Sequence, residues 1–169
     1  MINMLVKSVK NRIDSFRISQ KYWVYSLGES MLLYRHQDTK ELLLVNEATG
    51  SKIRLVDDFG SIVHITTEDI DFERINQLES SFNAEKLWAR YYYGVERYQE
   101  GVAMITWTLY PDGRYFADED GFGGEGGEEV NIYGFMDKEG KILIPFRDMK
   151  SHEFVIWHEK AVERKTENR

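Results

Sequence analysis

Four short apolar runs follow one another at intervals of about ten residues between positions 31 and 66. They read MLLYRH, ELLLVN, SKIRLV and SIVHIT, and the segments QDTK, EATG and DDFG separate them. Runs rich in Leu, Ile and Val that alternate with turn-forming residues are typical of β-strands joined by hairpins. Gly50 suits the last position of a three-residue hairpin loop, which needs a positive φ. The sequence therefore predicts an antiparallel meander of four strands here.

The second half of the chain repeats this pattern. VAMITWTLY leads into Pro111-Asp112-Gly113 and RYFAD, and VNIYGFMD leads into Lys138-Glu139-Gly140 and KILIPF. Pro fixes φ at the first turn position and Gly takes the left-handed one, so both segments read as hairpins and four further strands are expected. Strand side chains alternate with period two, which places one apolar set on the core face: Ala103, Ile105, Trp107 and Leu109.

Helical spacing appears before the first β segment and between the two β segments. Residues 3–18 carry the stripe of an amphipathic helix, and residues 68–93 place Ile75, Leu78 and Phe82 on one face. The expected fold is α+β: about eight strands in antiparallel meanders, as one twisted sheet or two small sheets, packed with two to three helices. We expect a single domain over residues 1–169 in the order α-β4-α-β4-α, with frayed residues 160–169 at the C-terminus.

The segment YGFMDKEGKILIPF, residues 133–146, resembles one unit of the WG-repeat family. Hairpins of that family read roughly aromatic-Gly-Phe-Ile-Asp-x-x-Gly-x-x-Ile-x-Pro, and Tyr133 stands where the namesake Trp would be. The likeness occurs once, whereas the family has tandem copies. It implies a stable hairpin and transfers no function.

Composition excludes several classes of protein. The chain of 169 residues has no Cys, which excludes disulfides, thiolate catalysis and thiolate metal sites. Charges at Lys7, Lys10 and Arg12 interrupt any signal-peptide core, and the longest apolar runs are too short to span a bilayer. We expect a cytoplasmic protein that does not associate with membranes.

The formal net charge of −7 disfavours a nucleic-acid partner, because it repels phosphate backbones. Binding to phosphates would need a local basic patch. Lys160, Arg164, Lys165 and Arg169 lie together near the C-terminus, but Glu159, Glu163 and Glu167 are interspersed among them. Mixed charges at this spacing are typical of a solvated helix end.

The most unusual segment is ADEDGFGGEGGEEV, which combines Gly residues with six carboxylates: Asp118, Glu119, Asp120, Glu125, Glu128 and Glu129. Gly121, Gly123 and Gly126 match G-x-G-x-x-G, but a strand follows where a dinucleotide site needs a helix N-terminus. The spacing of a calcium-binding EF-hand also fails, although an irregular Ca²⁺ or Mg²⁺ site stays open. The segment is interpreted as an exposed acidic loop, which is suited to facing a basic protein surface.

No catalytic motif accompanies these features. The four His residues, at positions 36, 64, 152 and 158, show no H-E-x-x-H spacing, and His64 is interpreted as a strand residue. Asp58-Phe59-Gly60 is interpreted as a turn, and no G-x-S-x-G or S-x-x-K motif is present. The sequence leans away from an enzyme, and no cofactor or metal is expected.

Aromatic side chains supply the other half of the expected site. Tyr91, Tyr92 and Tyr93 on a predicted helix cannot all face one way, so at least one should reach solvent. Together with the six loop carboxylates they form the candidate binding surface. We expect a non-catalytic binding or accessory protein with a protein partner, and the acidic loop would suit a basic one; pairing of two copies through a sheet edge stays open.

The alternative is a protein that binds or hydrolyses a small polar ligand such as a sugar. Hydrolysis of a glycoside requires two carboxyl groups held across a cleft. A pocket lined by Trp107, Tyr115 and either Asp118 or Glu119 would favour this alternative.

Overall fold

The computed structural model describes residues 21–75, 92–109 and 130–167. They form two four-stranded antiparallel sheets, and each sheet is a meander whose strands neighbour one another in chain order. The first sheet contains β1 Tyr22–Gly28, β2 Met31–His36, β3 Leu42–Asn46 and β4 Lys52–Val56. The second contains β5 Tyr92–Val95, β6 Ala103–Leu109, β7 Val130–Met136 and β8 Ile142–Arg147.

Within these three ranges there is one α-helix, α1 Phe154–Glu167, and there are three short 3-10 turns, Thr67–Asp69, Phe72–Arg74 and Ser151–Glu153. The arrangement is mostly β and agrees with the α+β expectation in its coarse form, as two small sheets. Over the described ranges the helix content is lower than predicted. The predicted helix over residues 3–18 and the predicted strand RYFAD lie outside those ranges.

The first sheet contains a different fourth strand from the predicted one. SIVHIT contributes only an isolated bridge between Val56 and Ile62, while Tyr22–Gly28 pairs with β2 and completes the sheet. The sequence YWVYSLG is rich in aromatic and β-branched residues, which favour strands. The position of the first strand was therefore predicted wrongly, although the number of strands was correct.

Residues 68–93 are predicted to be helical, with a possible break near residues 80–83, but the described residues 68–75 and 92–93 at the two ends of this segment are not α-helical. Ile70 makes a parallel bridge to Phe146, Asp71 N–H donates to Phe146 O at 2.9 Å, and Asp148 N–H donates to Arg74 O at 3.0 Å. These bonds hold residues 70–74 along the edge of β8, so their main-chain groups are not available for a helix. Tyr92 and Tyr93 belong to β5 rather than to a helix.

Two turns share one hydrogen-bonding pattern. In Asp57–Ser61 and Asp137–Lys141, the Asp side chain accepts bonds from the N–H groups two and four residues later. The third residue after each Asp is a glycine at positive φ, Gly60 at 90° and Gly140 at 80°. Asp58-Phe59-Gly60 is thus a turn, as predicted, and Lys138-Glu139-Gly140 closes the β7–β8 hairpin.

Two apolar clusters cover both faces of the second sheet. Ala103, Ile105 and Trp107 are fully buried against residues of the first sheet, which confirms the predicted core face of β6; the side chain of Leu109 lies outside the described set. On the opposite face a smaller cluster packs beneath α1, with Val102 and Ala161 among its buried members. Tyr98 N–H donates to Leu27 O at 2.7 Å and joins the two sheets at their ends.

Candidate partner-binding surface

Most of the predicted site lies outside the described residues. This holds for Tyr91 and for all six loop carboxylates: Asp118, Glu119, Asp120, Glu125, Glu128 and Glu129. Tyr92 is described only as backbone in β5. The Tyr93 side chain is 3% exposed and packs in the shared core against Trp107 and Phe146. Tyr93 therefore contributes to the core, and its ring is not presented at the surface.

The Tyr93 hydroxyl has one polar partner in this core, the Nε2 atom of His64. Burial lowers the pKa of His64 to about 4, and the nearby backbone of Gly140 opposes this shift. Burial also raises the pKa of Tyr93, helped by the charge of Asp69. Among the described residues no hydrogen bond of normal geometry reaches Nδ1 of His64. At neutral pH both groups are therefore uncharged, as befits a polar pair inside a core.

Strand β1 carries the most exposed aromatic surface in a described strand. Trp23, Val24 and Tyr25 are 58%, 40% and 46% exposed. The register places Trp23 opposite Arg35 and Tyr25 opposite Leu33, so the two aromatic rings lie on one face and Val24 on the other. These three consecutive residues are called the β1 aromatic surface below.

The outer edge of β1 also offers main-chain hydrogen-bonding groups. Gln37 N–H donates to Lys21 O at 2.9 Å, so this opposed pair is a hydrogen-bonded one. Such pairs alternate along an antiparallel ladder, which directs the main-chain groups of Tyr22, Val24 and Ser26 to the outer edge. In the described part of the chain no strand pairs with that edge, and only Leu27 O is used, by Tyr98.

The composition of β1 does not protect this edge. Exposed edge strands of monomeric proteins are usually blunted by charged residues or Pro, whereas Tyr22–Gly28 contains neither. Arg35 lies directly opposite Trp23, and its buried Nε has no hydrogen-bond partner among the described residues. The β1 aromatic surface thus combines exposed rings, open backbone groups and an adjacent guanidinium.

Apart from the β1 aromatic surface, a depression lies between α1 and the outer face of β6 and β7. Its volume is about 420 Å³, and Glu96, Arg97 and His158 contribute polar groups to it. His158 Nε2 is hydrogen-bonded to Gln99 O at 3.0 Å, so its ring is held in place. The apolar lining consists of Met104, Phe135, Phe154 and Val155.

Two carboxylates of the first sheet, those of Glu41 and Asp58, form an ion-pair network with Arg54. Arg54 Nη2 lies 2.8 Å from Glu41 and 2.9 Å from Asp58. The Tyr22 hydroxyl donates to Glu41, and burial together with this bond raises the pKa of Tyr22 to about 12. Both carboxylates are already bound to one guanidinium, an arrangement that stabilises strand ends and leaves neither as a free acid or base.

Within residues 21–75, 92–109 and 130–167 no group of three or more His, Asp or Glu side chains is placed to hold a metal ion. In the same ranges no helix combines the length and apolar character needed to cross a bilayer. No protein-family model, curated protein or solved structure matches this chain.

Sequence reasoning missed the β1 aromatic surface. Residues 22–28 followed a predicted helix and were not assigned to an element, so their exposure could not be considered. The signal was present in the run YWVYS, which is aromatic, β-branched and uncharged.

Proposed function

We propose that this chain is a non-catalytic protein-binding module and that the β1 aromatic surface is part of its interface. The observation that carries the proposal is the exposure of Trp23, Val24 and Tyr25 on a strand whose outer edge is open over the described residues. Trp and Tyr are the residue types most enriched among binding hot spots. An open edge can accept a partner strand through main-chain hydrogen bonds.

Two kinds of contact would then act together. Main-chain bonds to Tyr22, Val24 and Ser26 would supply affinity and fix the register of an added strand. Contacts with Trp23 and Tyr25 would supply specificity, because both rings lie on the same face of β1.

The acidic segment remains part of the proposal as its electrostatic component. A basic partner would be steered by the carboxylates at positions 118–129, and steering acts mainly on the association rate. Replacing Glu125, Glu128 and Glu129 with Gln should slow association with such a partner more than it speeds dissociation. The effect should shrink at high salt, where the Debye length falls to about 3 Å at 1 M.

The depression beside α1 favours the alternative of a small polar ligand. A volume of about 420 Å³ falls in the range of small-molecule sites, and Arg97 and His158 provide polar groups. The ion-paired state of Glu41 and Asp58 gives no support to hydrolysis by that pair. Binding without catalysis is the form of this alternative that the geometry favours.

The decisive experiment compares variants in affinity capture from the native host, followed by mass spectrometry. A partner should be retained by the wild type and lost by the double variant Trp23→Ala/Tyr25→Ala. Phe59→Ala is the matched control, because Phe59 is an exposed aromatic residue in the turn after β4.

The captured protein is then purified and titrated against all three chains. Loss of two hot-spot rings should weaken Kd by on the order of 100-fold, while the control should bind like the wild type. Equal affinities for the three chains would refute the role of β1. Sedimentation of the wild type alone shows whether the partner is a second copy.

A further inference from the structure

Three cationic side chains surround one indole where α1 packs on β8. The Cζ atom of Arg147 lies 4.3 Å from the ring centroid of Trp157, Lys160 Nζ lies 4.4 Å from it, and Arg74 Cζ lies 5.8 Å from it. The charges of Arg147 and Lys160 are therefore no more than about 9 Å apart. Arg164 is near enough for its charge to act on Arg147, and we name these four cations and Trp157 the Trp157 cluster.

The chain assembles the cluster from three elements. Trp157, Lys160 and Arg164 follow the i, i+3, i+7 spacing of one face of α1. Arg147 ends β8, and Arg74 lies in the turn that is bonded to the strand end through Asp148 N–H. Residues distant in sequence thus place like charges together.

Among the described residues, Asp71 is the carboxylate that forms ion pairs with the cluster. Asp71 is shared between Arg147, at 3.4 Å, and Arg74, at 3.6 Å. Over the described residues neither Lys160 nor Arg164 forms an ion pair. Burial lowers the pKa of Arg147, and the neighbouring charges of Arg74 and Arg164 lower it further against the opposing effect of Asp71. The cluster is a local concentration of positive charge in a chain of net charge −7.

Two of the four cations in the cluster, Arg147 and Arg164, have a structural role. Arg147 is buried, stacks on Trp157 and donates from Nε to Pro145 O at 3.1 Å. Arg164 Nη1 donates to Leu143 O at 2.9 Å and ties α1 to β8. Neither function requires Lys160, which is exposed, or Arg74, whose side chain is 60% exposed. Both side chains are exposed and could extend into solvent, yet their charged groups lie close to the Trp157 ring.

We propose that the Trp157 cluster is a binding site for a multivalent oxyanion. Arg74 and Lys160 are the exposed side chains that bind the anion, and the buried Arg147 contributes a fixed positive charge behind them. The Arg74 guanidinium and the Lys160 ammonium lie 5.8 Å and 4.4 Å from the same ring centroid, and phosphate or carboxylate oxygens accept charge-assisted hydrogen bonds from both kinds of group. This site is separate from the β1 aromatic surface and does not depend on it. It supplies the local basic patch that an acidic chain needs to hold an anion.

Calorimetric titration at low ionic strength tests the proposal, with inorganic pyrophosphate and citrate as separate probes. Saturable binding of pyrophosphate is expected, and binding of citrate as well would extend the ligand class from phosphates to carboxylates. Lys160→Met and Arg74→Met should each weaken Kd by on the order of tenfold, the typical effect of losing one charge-assisted contact. Lys52→Met is the matched control, because Lys52 is exposed on β4 and its loss changes the net charge equally.

Heteronuclear NMR localises the binding. The indole N–H signal that disappears in Trp157→Phe should be the one that moves when pyrophosphate is added to the wild type. The proposal is overturned if neither anion binds saturably, if Lys160→Met and Arg74→Met bind like the wild type, or if Lys52→Met loses as much affinity as they do. Melting curves of the exposed-residue variants confirm that each compared chain is folded.

Discussion

The hydroxyl of Tyr93 is hydrogen-bonded to Nε2 of His64, and this bond joins β5 to the segment that follows β4. The two rings also meet edge to face, with centroids 5.7 Å apart. The pair lies where the two sheets share a core, because Tyr93 also contacts Trp107 of β6 and Phe146 of β8. Tyr93 is buried and His64 is partly buried, so the protonation of His64 bears on the stability of this contact between the sheets.

The first prediction concerns acid stability. The folded-state pKa of His64 is about 4, below the unfolded value of about 6.5, so the unfolded chain binds the extra proton between these values. The stabilising contribution of neutral His64 is complete above pH 6.5 and is lost as the pH falls toward 4. With roughly 1.4 kcal/mol per pKa unit, the loss is about 3 kcal/mol. Urea unfolding of the wild type at several pH values measures it.

His64→Gln removes this titration and should flatten the decline in unfolding free energy between pH 6.5 and 4. His152→Gln is the control, because His152 is exposed and should leave the decline unchanged. If the wild type and His64→Gln decline in parallel, His64 is not the titrating group.

The second prediction concerns the hydrogen bond itself. Tyr93→Phe leaves Nε2 of the partly buried His64 without its partner and should destabilise the fold by about 1–3 kcal/mol. His64→Leu should cost a similar amount by leaving the Tyr93 hydroxyl unpaired. The double variant should cost less than the two single variants together, because both polar groups are then gone. Equilibrium unfolding of the four chains gives this coupling, and strict additivity would contradict it.

The third prediction separates surface from core among the Trp residues. Trp107 is fully buried, so Trp107→Ala should cost about 3–5 kcal/mol. Trp23 is more than half exposed, and Trp23→Ala should cost about 1 kcal/mol or less. Denaturant midpoints of the two variants provide the comparison. Similar losses would mean that Trp23 is packed in solution, and the β1 aromatic surface would not be available to a partner.

The outcome for Trp107 shows which parts of the fold were predictable from sequence. Period-two alternation and a glycine at the turn are local signals, and they correctly identified the core face of β6 and the hairpin at Gly140. Residues 22–28 join the first sheet beside β2, whereas the predicted strand 61–66 would have joined it at the opposite edge, beside β4. The run YWVYS carried a local signal for a strand, but its pairing with β2 is not a local property of the sequence. Residues 61–66 instead make a long-range contact, in which His64 is hydrogen-bonded to the Tyr93 hydroxyl.

The candidate site was harder to predict for the same reason. Exposure of Trp23 and Tyr25 follows from the edge position of β1, and strand order is not a local property of the sequence. The Trp157 cluster gathers Arg74 and Arg147 with α1 across more than 70 residues of chain. The positive charges of Lys160 and Arg164 were visible in the sequence, but their proximity to Arg74 and Arg147 in the fold was not.

The last prediction compares two turn glycines that have the same backbone conformation and different surroundings. Gly50 and Gly140 have φ of 76° and 80°, so an Ala at either position is strained by roughly 1–2 kcal/mol. A Cβ at Gly50 would meet no atom within 4 Å, whereas one at Gly140 would lie 3.1 Å from Cδ1 of Ile53. Gly140→Ala should therefore cost about 1 kcal/mol more than Gly50→Ala, since Ile53 must shift within a packed core. Urea unfolding of both variants measures the difference, and the double variant Gly140→Ala/Ile53→Val should recover part of it. Equal costs for the two glycines would show that the side chain of Ile53 gives way freely and that the β7–β8 turn is not packed tightly against the first sheet.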